Sequence, residues 1–530
     1  MAALTKEQRL AGLSPELAQR AQAIARDLQD RRVADAERGV IAALALAPKH
    51  AEILRLFGAT ELMRGRAANA IEPLLKSGRQ RPGDETVWNF LSAAYDAIGD
   101  MENAVRALRR ACSLAPDSAA LWFNLGRMLF SNGDIEEANG ALRRAVELQP
   151  AHPHARTMLA GNLTQNGKPD QAEALYREVL ARYPAFGPAW WGLATIRPTR
   201  LDRGDIAKME RALGDTQLAD GDRISLHFAL GNAREAAGDF AGALDALQTG
   251  HALARRTDTW DAHTFVKRVD RVLEIFYALP APVDAEQGGE VIFIVSMPRS
   301  GSTLLEQVLA SHAEVEGTTE LPMVLRIVMD ESDHHRQTFP EWVGGESAER
   351  WHQLGRAYLA ATERWRRHRP RFTDKMPGNW LYVGAILRML PRARVIVMRR
   401  DPLETSLACY RYMFRHHAYT HDFGDLAIAW RGFDRACRRW KELHPERVHE
   451  QAYEDLVADP ERQIRRLLDF CGLPFEENCL NFHATERRVT TPSASQVREP
   501  MRRDTARAGK YGALLDPLRA ALGMPPWSPG

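Results

Sequence analysis

The chain has 530 residues, a formal net charge of +2, 26% charged and 45% hydrophobic residues. That length exceeds what one hydrophobic core organises and calls for two or three domains, while the near-even charge carries no footprint of nucleic-acid binding. The five cysteines (Cys112, Cys409, Cys437, Cys471 and Cys479) lack any Cys-x-x-Cys spacing, which argues for reduced thiols over a disulfide framework or a zinc site.

The opening MAALTKEQRLAGL is charged where a signal peptide needs an apolar core, and no stretch approaches a membrane span, so a cytoplasmic protein without a membrane partner is expected. An internal repeat then dominates the first half. Pro48, Pro82, Pro116, Pro150 and Pro184 stand 34 residues apart, and so do Gly65, Gly99, Gly133 and Gly167. Ala36, Ala70, Ala104, Ala138 and Ala172 keep the same interval, as do Trp88 and Trp122, with Trp190 two periods further on. Glycine ends the first helix of each unit, alanine lets the second helix approach closely, and proline cannot continue a helix interior. The pattern resembles the tetratricopeptide repeat. Its clearest units run from about residue 49 to about residue 192, after a degenerate one at 15–48. Gly238 lies 71 residues beyond Gly167, so the register slips before a last repeat at about 222–255. Such a solenoid usually offers a concave groove to a peptide or protein. Trp88 and Trp122 are expected as core knobs.

Helical sequence ending near Leu279 gives way to PAPVDAEQGG, read as a linker. At Val291 the pattern changes to VIFIVSMPRSGSTLL: an apolar strand, a loop of small residues, then a helix start. Backbone N–H groups and hydroxyls converging at a helix N-terminus make an anion cradle. The nucleotide-hydrolase loop needs a lysine after its second glycine, and here Ser302 follows Gly301, which disfavours a triphosphate on magnesium. The basic run Arg364 to Arg371 (RWRRHRPR) reads as solvated helix surface. A second strand, Arg394 to Met398, leads into Arg399-Arg400-Asp401-Pro402 and another helix. Two strands that each deliver a polar turn at the C-terminal end suit a mononucleotide site on a parallel sheet. His416, His417 and His421 read as a solvated or acceptor-facing loop, and no metal constellation stands out.

Residues 290–515 resemble the sulfotransferases that use 3′-phosphoadenosine 5′-phosphosulfate, and among them the tyrosylprotein sulfotransferases and bacterial relatives fused to tetratricopeptide repeats. The resemblance places Arg299, Ser300, Gly301, Ser302 and Thr303 of MPRSGSTLLEQ on the 5′-phosphosulfate, with Arg299 also facing the transferring sulfuryl group. It makes Glu320 of EGTTELP the general base and puts Lys375 of FTDKMPGNW beside the bridging oxygen. Arg400 becomes the 3′-phosphate ligand, Tyr453 of QAYEDLVADP packs by the adenine, and Ser493, Ser495 and Lys510 serve as late cofactor contacts. One departure is that the family's serine eight residues after the arginine is Ala408 here. Ser406 lies about 200° around the helix from that position.

The fold expected is α+α/β: an all-α tetratricopeptide solenoid (1–255), a helical connection and linker (256–289), a P-loop-like α/β sulfotransferase domain with a central parallel sheet (290–515) and a C-terminal tail (516–530). The activity implied is sulfuryl transfer to a hydroxyl, with tyrosine of a peptide or protein in the repeat groove as acceptor, 3′,5′-adenosine bisphosphate as product and no metal required. A sugar or small phenol as acceptor, and an inactive scaffold with a nucleotide-sensing module, are the alternatives. No nucleic-acid partner is expected, and the sequence sets no oligomeric state.

Overall fold

The computed structural model describes residues 4–196, 200–279, 286–318, 320–366, 368–414, 417–485, 487, 496–502 and 505–528. The chain divides into two compact units, residues 1–162 with 174–179, and residues 163–173 with 180–530. Among the described residues no helix is long and apolar enough to cross a membrane.

The first unit is a series of helical hairpins, such as Glu85–Ala97 with Met101–Leu114 and Ala119–Asn132 with Ile135–Leu148. The repeat ladders explain its geometry. Gly99 and Gly133 have φ of 77° and 91°, left-handed values that end the first helix of each hairpin without a Cβ clash. The next N–H then turns back, from Asp100 to the carbonyl of Tyr95 and from Asp134 to that of Leu129, both at 2.8 Å. Ala36, Ala70, Ala104 and Ala138 are completely buried at the helix crossings. The tryptophans act on the loops as well as on the core. The indole Nε1 of Trp88 donates to the carbonyl of Pro82 at 3.2 Å, and that of Trp122 to Pro116 at 2.8 Å. One period later Arg156 occupies the tryptophan position, and its Nε donates to Pro150 at 2.7 Å.

The second unit holds the last repeat hairpin, Asp220–Ala236 and Phe240–Ala254, followed by the helix Ala262–Ala278 and a five-stranded sheet. The strands β1 (Val291–Ser296), β2 (Val315–Glu316), β3 (Arg371–Lys375), β4 (Arg394–Arg399) and β5 (Val448–Ala452) are all parallel, in the order β2-β3-β1-β4-β5. β1 is buried along its whole length, as a strand covered on both faces must be. Val291, Phe293 and Val295 face one core, while Ile292 and Ile294 face the other with Leu305, Val308 and Leu309. Parallel strands send every crossover out at the same edge. That edge therefore collects the loop after β1, Lys375 at the end of β3, Arg400 after β4 and Tyr453 after β5.

The expected architecture, repeats followed by a parallel α/β sheet, is the one observed. Three local readings change. The Ala262–Ala278 helix puts Val269, Val272 and Phe276 into the sheet core, where it was expected as a connection. In the C-terminal segment the helix Asp516–Leu522 buries Leu518. The basic run around residue 369 is not solvated helix surface: Arg369 Nη1 donates to the carbonyls of Ala310, His312 and Val315, and Arg371 to those of Cys471 and Gly472. These guanidiniums satisfy carbonyls that helix and strand ends leave without partners. All five cysteines are buried and free.

Candidate active site

The loop Met297–Gly301 is held from within. Ser300 Oγ donates to the carbonyl of Met297 at 2.9 Å, and Cys409 Sγ donates to that of Pro298 at 3.2 Å. Arg299 has φ of 64° and Gly301 of 96°, so the backbone turns through the left-handed region twice before the helix Ser302–Ala310 begins. A Cβ on Gly301 would lie 2.6 Å from Cδ2 of Tyr453, so only glycine lets the tyrosine ring cover the loop. Tyr453 Oη is 3.1 Å from Oγ1 of Thr505. Arg400 stacks over the same ring, 4.8 Å from its centroid, donates to the carbonyls of Arg299 and Thr505 at 3.4 and 3.3 Å, and lies 3.5 Å from Glu404.

These residues border a cavity of about 450 Å³, a size suited to a nucleotide. Of the sequence candidates, Arg299, Gly301, Thr303, Arg400, Tyr453 and Lys510 line it. Ser300 and Ser302 are buried within the loop itself, and Ser493 and Ser495 lie outside the described residues. Ala408 faces the cavity, whereas Ser406 is buried in the Pro402–Tyr410 helix, its hydroxyl without a hydrogen-bond partner among the described residues. Among the described residues the lining carries Arg299, Arg400, Arg411, Arg502, Arg507 and Lys510 against Glu235, Glu404 and Glu499. Burial, and after it the charges of Arg411 and Arg400, hold the Arg299 guanidinium below its ordinary pKa, with Tyr412 and Cys409 opposing. This side of the cavity is therefore electropositive, which favours an anion over a cation.

Glu320 and Lys375, 55 residues apart in the chain, meet directly: Nζ donates to Oε1 at 2.5 Å. The lysine side chain is 1% exposed and the glutamate 43%, so the carboxylate is the member of the pair open to solvent and the ammonium lies behind it. The pairing of Lys375 is thus with Glu320, while the neighbouring Asp374 takes a hydrogen bond from Tyr358 at 2.6 Å.

Sequence reading missed the wall opposite the loop. Asn232, Glu235, Ala236 and Phe240, all from the last repeat hairpin, line the same cavity, as does Arg411. For Arg411 the one signal was its helical spacing from Glu404, Leu407 and Ala408, which by itself does not say what that face meets; the repeat residues gave none. The histidine reading also changes for His421, which is buried with Nδ1 2.9 Å from Nδ1 of His251; His416 lies outside the described residues.

The site thus holds a cation-rich cavity at the C-terminal edge of the parallel sheet and, at the end of β3, the Glu320–Lys375 pair. Residues 291–477 match the Sulfotransferase family, and residues 92–153 and 129–196 match tetratricopeptide repeats. The chain therefore carries a sulfotransferase-family domain behind tetratricopeptide repeats. It is 33% identical to an uncharacterized protein of Aquifex aeolicus over 49% of this chain and 36% of that protein. It is 25% identical to protein-tyrosine sulfotransferase A of Caenorhabditis elegans, over 36% of this chain and 52% of the relative. Similarity to the omega-hydroxy-beta-dihydromenaquinone-9 sulfotransferase Stf3 of Mycobacterium tuberculosis reaches 32% identity over 19% of this chain and 28% of the relative. The chain thus spans about half or less of the length of each of these three relatives.

Proposed function

We propose that the protein transfers a sulfuryl group from 3′-phosphoadenosine 5′-phosphosulfate to the hydroxyl of tyrosine in a peptide or protein held by the repeats. The observation that carries this reading is the cavity: a surplus of guanidiniums around a glycine loop, closed by the Tyr453 ring. Its residues fit an adenosine bisphosphate, with Arg299, Gly301 and Thr303 at the 5′-side, Arg400 toward the 3′-phosphate and Tyr453 by the base. Lys510 lines the same cavity; Ser300 and Ser302 shape the loop, and Ser493 and Ser495 complete the proposed set. When bound, the phosphosulfate supplies the sulfuryl group, whose bond to the 5′-phosphate oxygen breaks as the acceptor oxygen bonds sulfur.

Glu320 accepts the proton of the attacking hydroxyl, its exposed carboxylate being the part of the pair an acceptor reaches. Lys375 and Arg299 stabilise negative charge developing on the leaving phosphate oxygen. Sulfuryl transfer by this route is a matter of position and electrostatics. A small-molecule hydroxyl as acceptor is the second reading, favoured by the similarity to the dihydromenaquinone enzyme.

Two measurements test the proposal. Calorimetric titration should show micromolar binding of adenosine 3′,5′-bisphosphate and far weaker binding of magnesium-ATP. Glu320→Gln should lower transfer of labelled sulfate to tyrosine peptides by about 10²–10⁴-fold with bisphosphate affinity retained. Transfer to small phenols but to no peptide would replace the acceptor. Absence of bisphosphate binding would leave the scaffold reading.

A further inference from the structure

The last repeat hairpin does more than neighbour the cavity. The Asp220–Ala236 helix holds Arg411, at the end of the Pro402–Tyr410 helix, by both of its polar ends. Asn232 Nδ2 donates to the Arg411 carbonyl at 3.3 Å, and Arg411 Nη2 donates back to Asn232 Oδ1 at 3.0 Å. Glu235 pairs with Arg411 Nε, with Arg507 Nη1 at 2.5 Å and with the Tyr511 hydroxyl at 2.6 Å. The side chains of Arg411 and Glu235 are 14% and 5% exposed, so this is a fixed arrangement and not a loose surface pair.

One carboxylate shared by two guanidiniums leaves the group positive. Its charge faces the same cavity as Arg299 and Arg400, and its field reaches Arg299. Ala408, one helical turn before Arg411 on the same face, offers no polar atom and leaves space above it. Behind the cradle the repeats also reach Arg299 through aromatic contacts. Trp191 packs edge-on against Tyr412 at 5.4 Å, and Arg299 lies 5.4 Å from the centroid of that tyrosine.

We propose that Arg411 is a phosphate-binding residue of the nucleotide site and that Asn232 of the repeat hairpin positions it, so that the repeats form part of the cofactor site. This rests on the sulfotransferase reading above. The chemistry required of the ligand is a second phosphate monoester on the nucleotide, which a nucleoside monophosphate lacks.

The test is calorimetric titration of the full-length chain with adenosine 3′,5′-bisphosphate across a range of salt concentrations. Arg411→Met should weaken binding by about tenfold or more, as loss of a charged hydrogen bond does, and should flatten the dependence on salt. Arg411→Lys should fall between, and Asn232→Ala should lose several-fold in the same direction. If Arg411→Met does not fold, Arg411→Lys and Asn232→Ala carry the test. Native affinity and native salt dependence in the arginine variants would overturn the proposal while leaving the sulfotransferase reading intact. Loss in the arginine variants with native affinity in Asn232→Ala would overturn the part assigned to the repeats. No bisphosphate binding by the native chain would overturn this proposal and the sulfotransferase reading together.

Discussion

Asp374 precedes Lys375 in β3 and is fully buried, with one oxygen bonded by Tyr358 and the other without a hydrogen-bond partner among the described residues. Burial pushes its carboxyl up to about 7 from an ordinary 3.8; Glu306 adds to this, while the Tyr358 bond and Lys375 oppose it. Between those two values the folded protein keeps a proton that the unfolded chain has released. Stability from this group is therefore present at low pH, is lost as pH rises through the window, and stays lost above about 7. Asp374→Asn has no proton to lose there. It should gain on the native protein by up to about 1.4 kcal/mol per pH unit across the window. Urea unfolding of both at about pH 5 and about pH 8 measures this, and a constant difference would refute the assignment.

Much at this scale was legible beforehand. The turn that carries Arg299 to Thr303 was visible because a strand, small residues and a helix start follow one another locally; Glu320 and Lys375 were singled out by their flanking motifs. That those two touch was not legible, because a single sequence does not state which distant side chains meet. Arg411 and Asn232 were hidden for the same reason: one reads as an ordinary helix end, the other as an ordinary repeat position.

Among the elements, the repeat hairpins were the most legible, because a fixed period repeats each local requirement. Glycine supplies the left-handed turn, alanine the close crossing, and a donor six residues after proline the loop bond. The third requirement identifies what the tryptophans do beyond filling space. Trp122→Phe keeps an aromatic ring but removes the indole N–H and leaves the Pro116 carbonyl without that partner. It should destabilise the protein by about 1 kcal/mol, read as a lower denaturant midpoint with unchanged slope. An unchanged midpoint would show that the indole bond adds nothing measurable to stability. The irregular repeat contributions near the cavity were less legible, because register alone does not say which hairpin meets another fold.

At the scale of the whole molecule, the last repeat hairpin and the sulfotransferase-family domain are one folding problem. Phe228, Leu244 and Leu247 pack in a single cluster with Leu403, Leu407, Tyr410, Leu426 and Leu518. A chain beginning at residue 290 would lose that side of the cluster as well as Val269, Val272 and Phe276 from the sheet core. It should show no cooperative unfolding and no bisphosphate binding, checked by near-ultraviolet dichroism through a denaturant series and by titration. A cooperative transition in that fragment would show the sheet to be self-sufficient. The sequence placed the boundary at the linker because composition changes there; packing ignores that change, since buried apolar faces are matched by shape and not by position along the chain.

The arginine at position 156 has a consequence for the repeats themselves. Where Trp88 and Trp122 make a neutral bond to a loop carbonyl, Arg156 makes a charged one and also pairs with Glu178. Ions in solution screen that pair and leave an indole bond untouched. Rising ionic strength should therefore slacken this proline-loop bond before those of Trp88 and Trp122, giving the loops of the array a sensitivity set by the surrounding electrolyte.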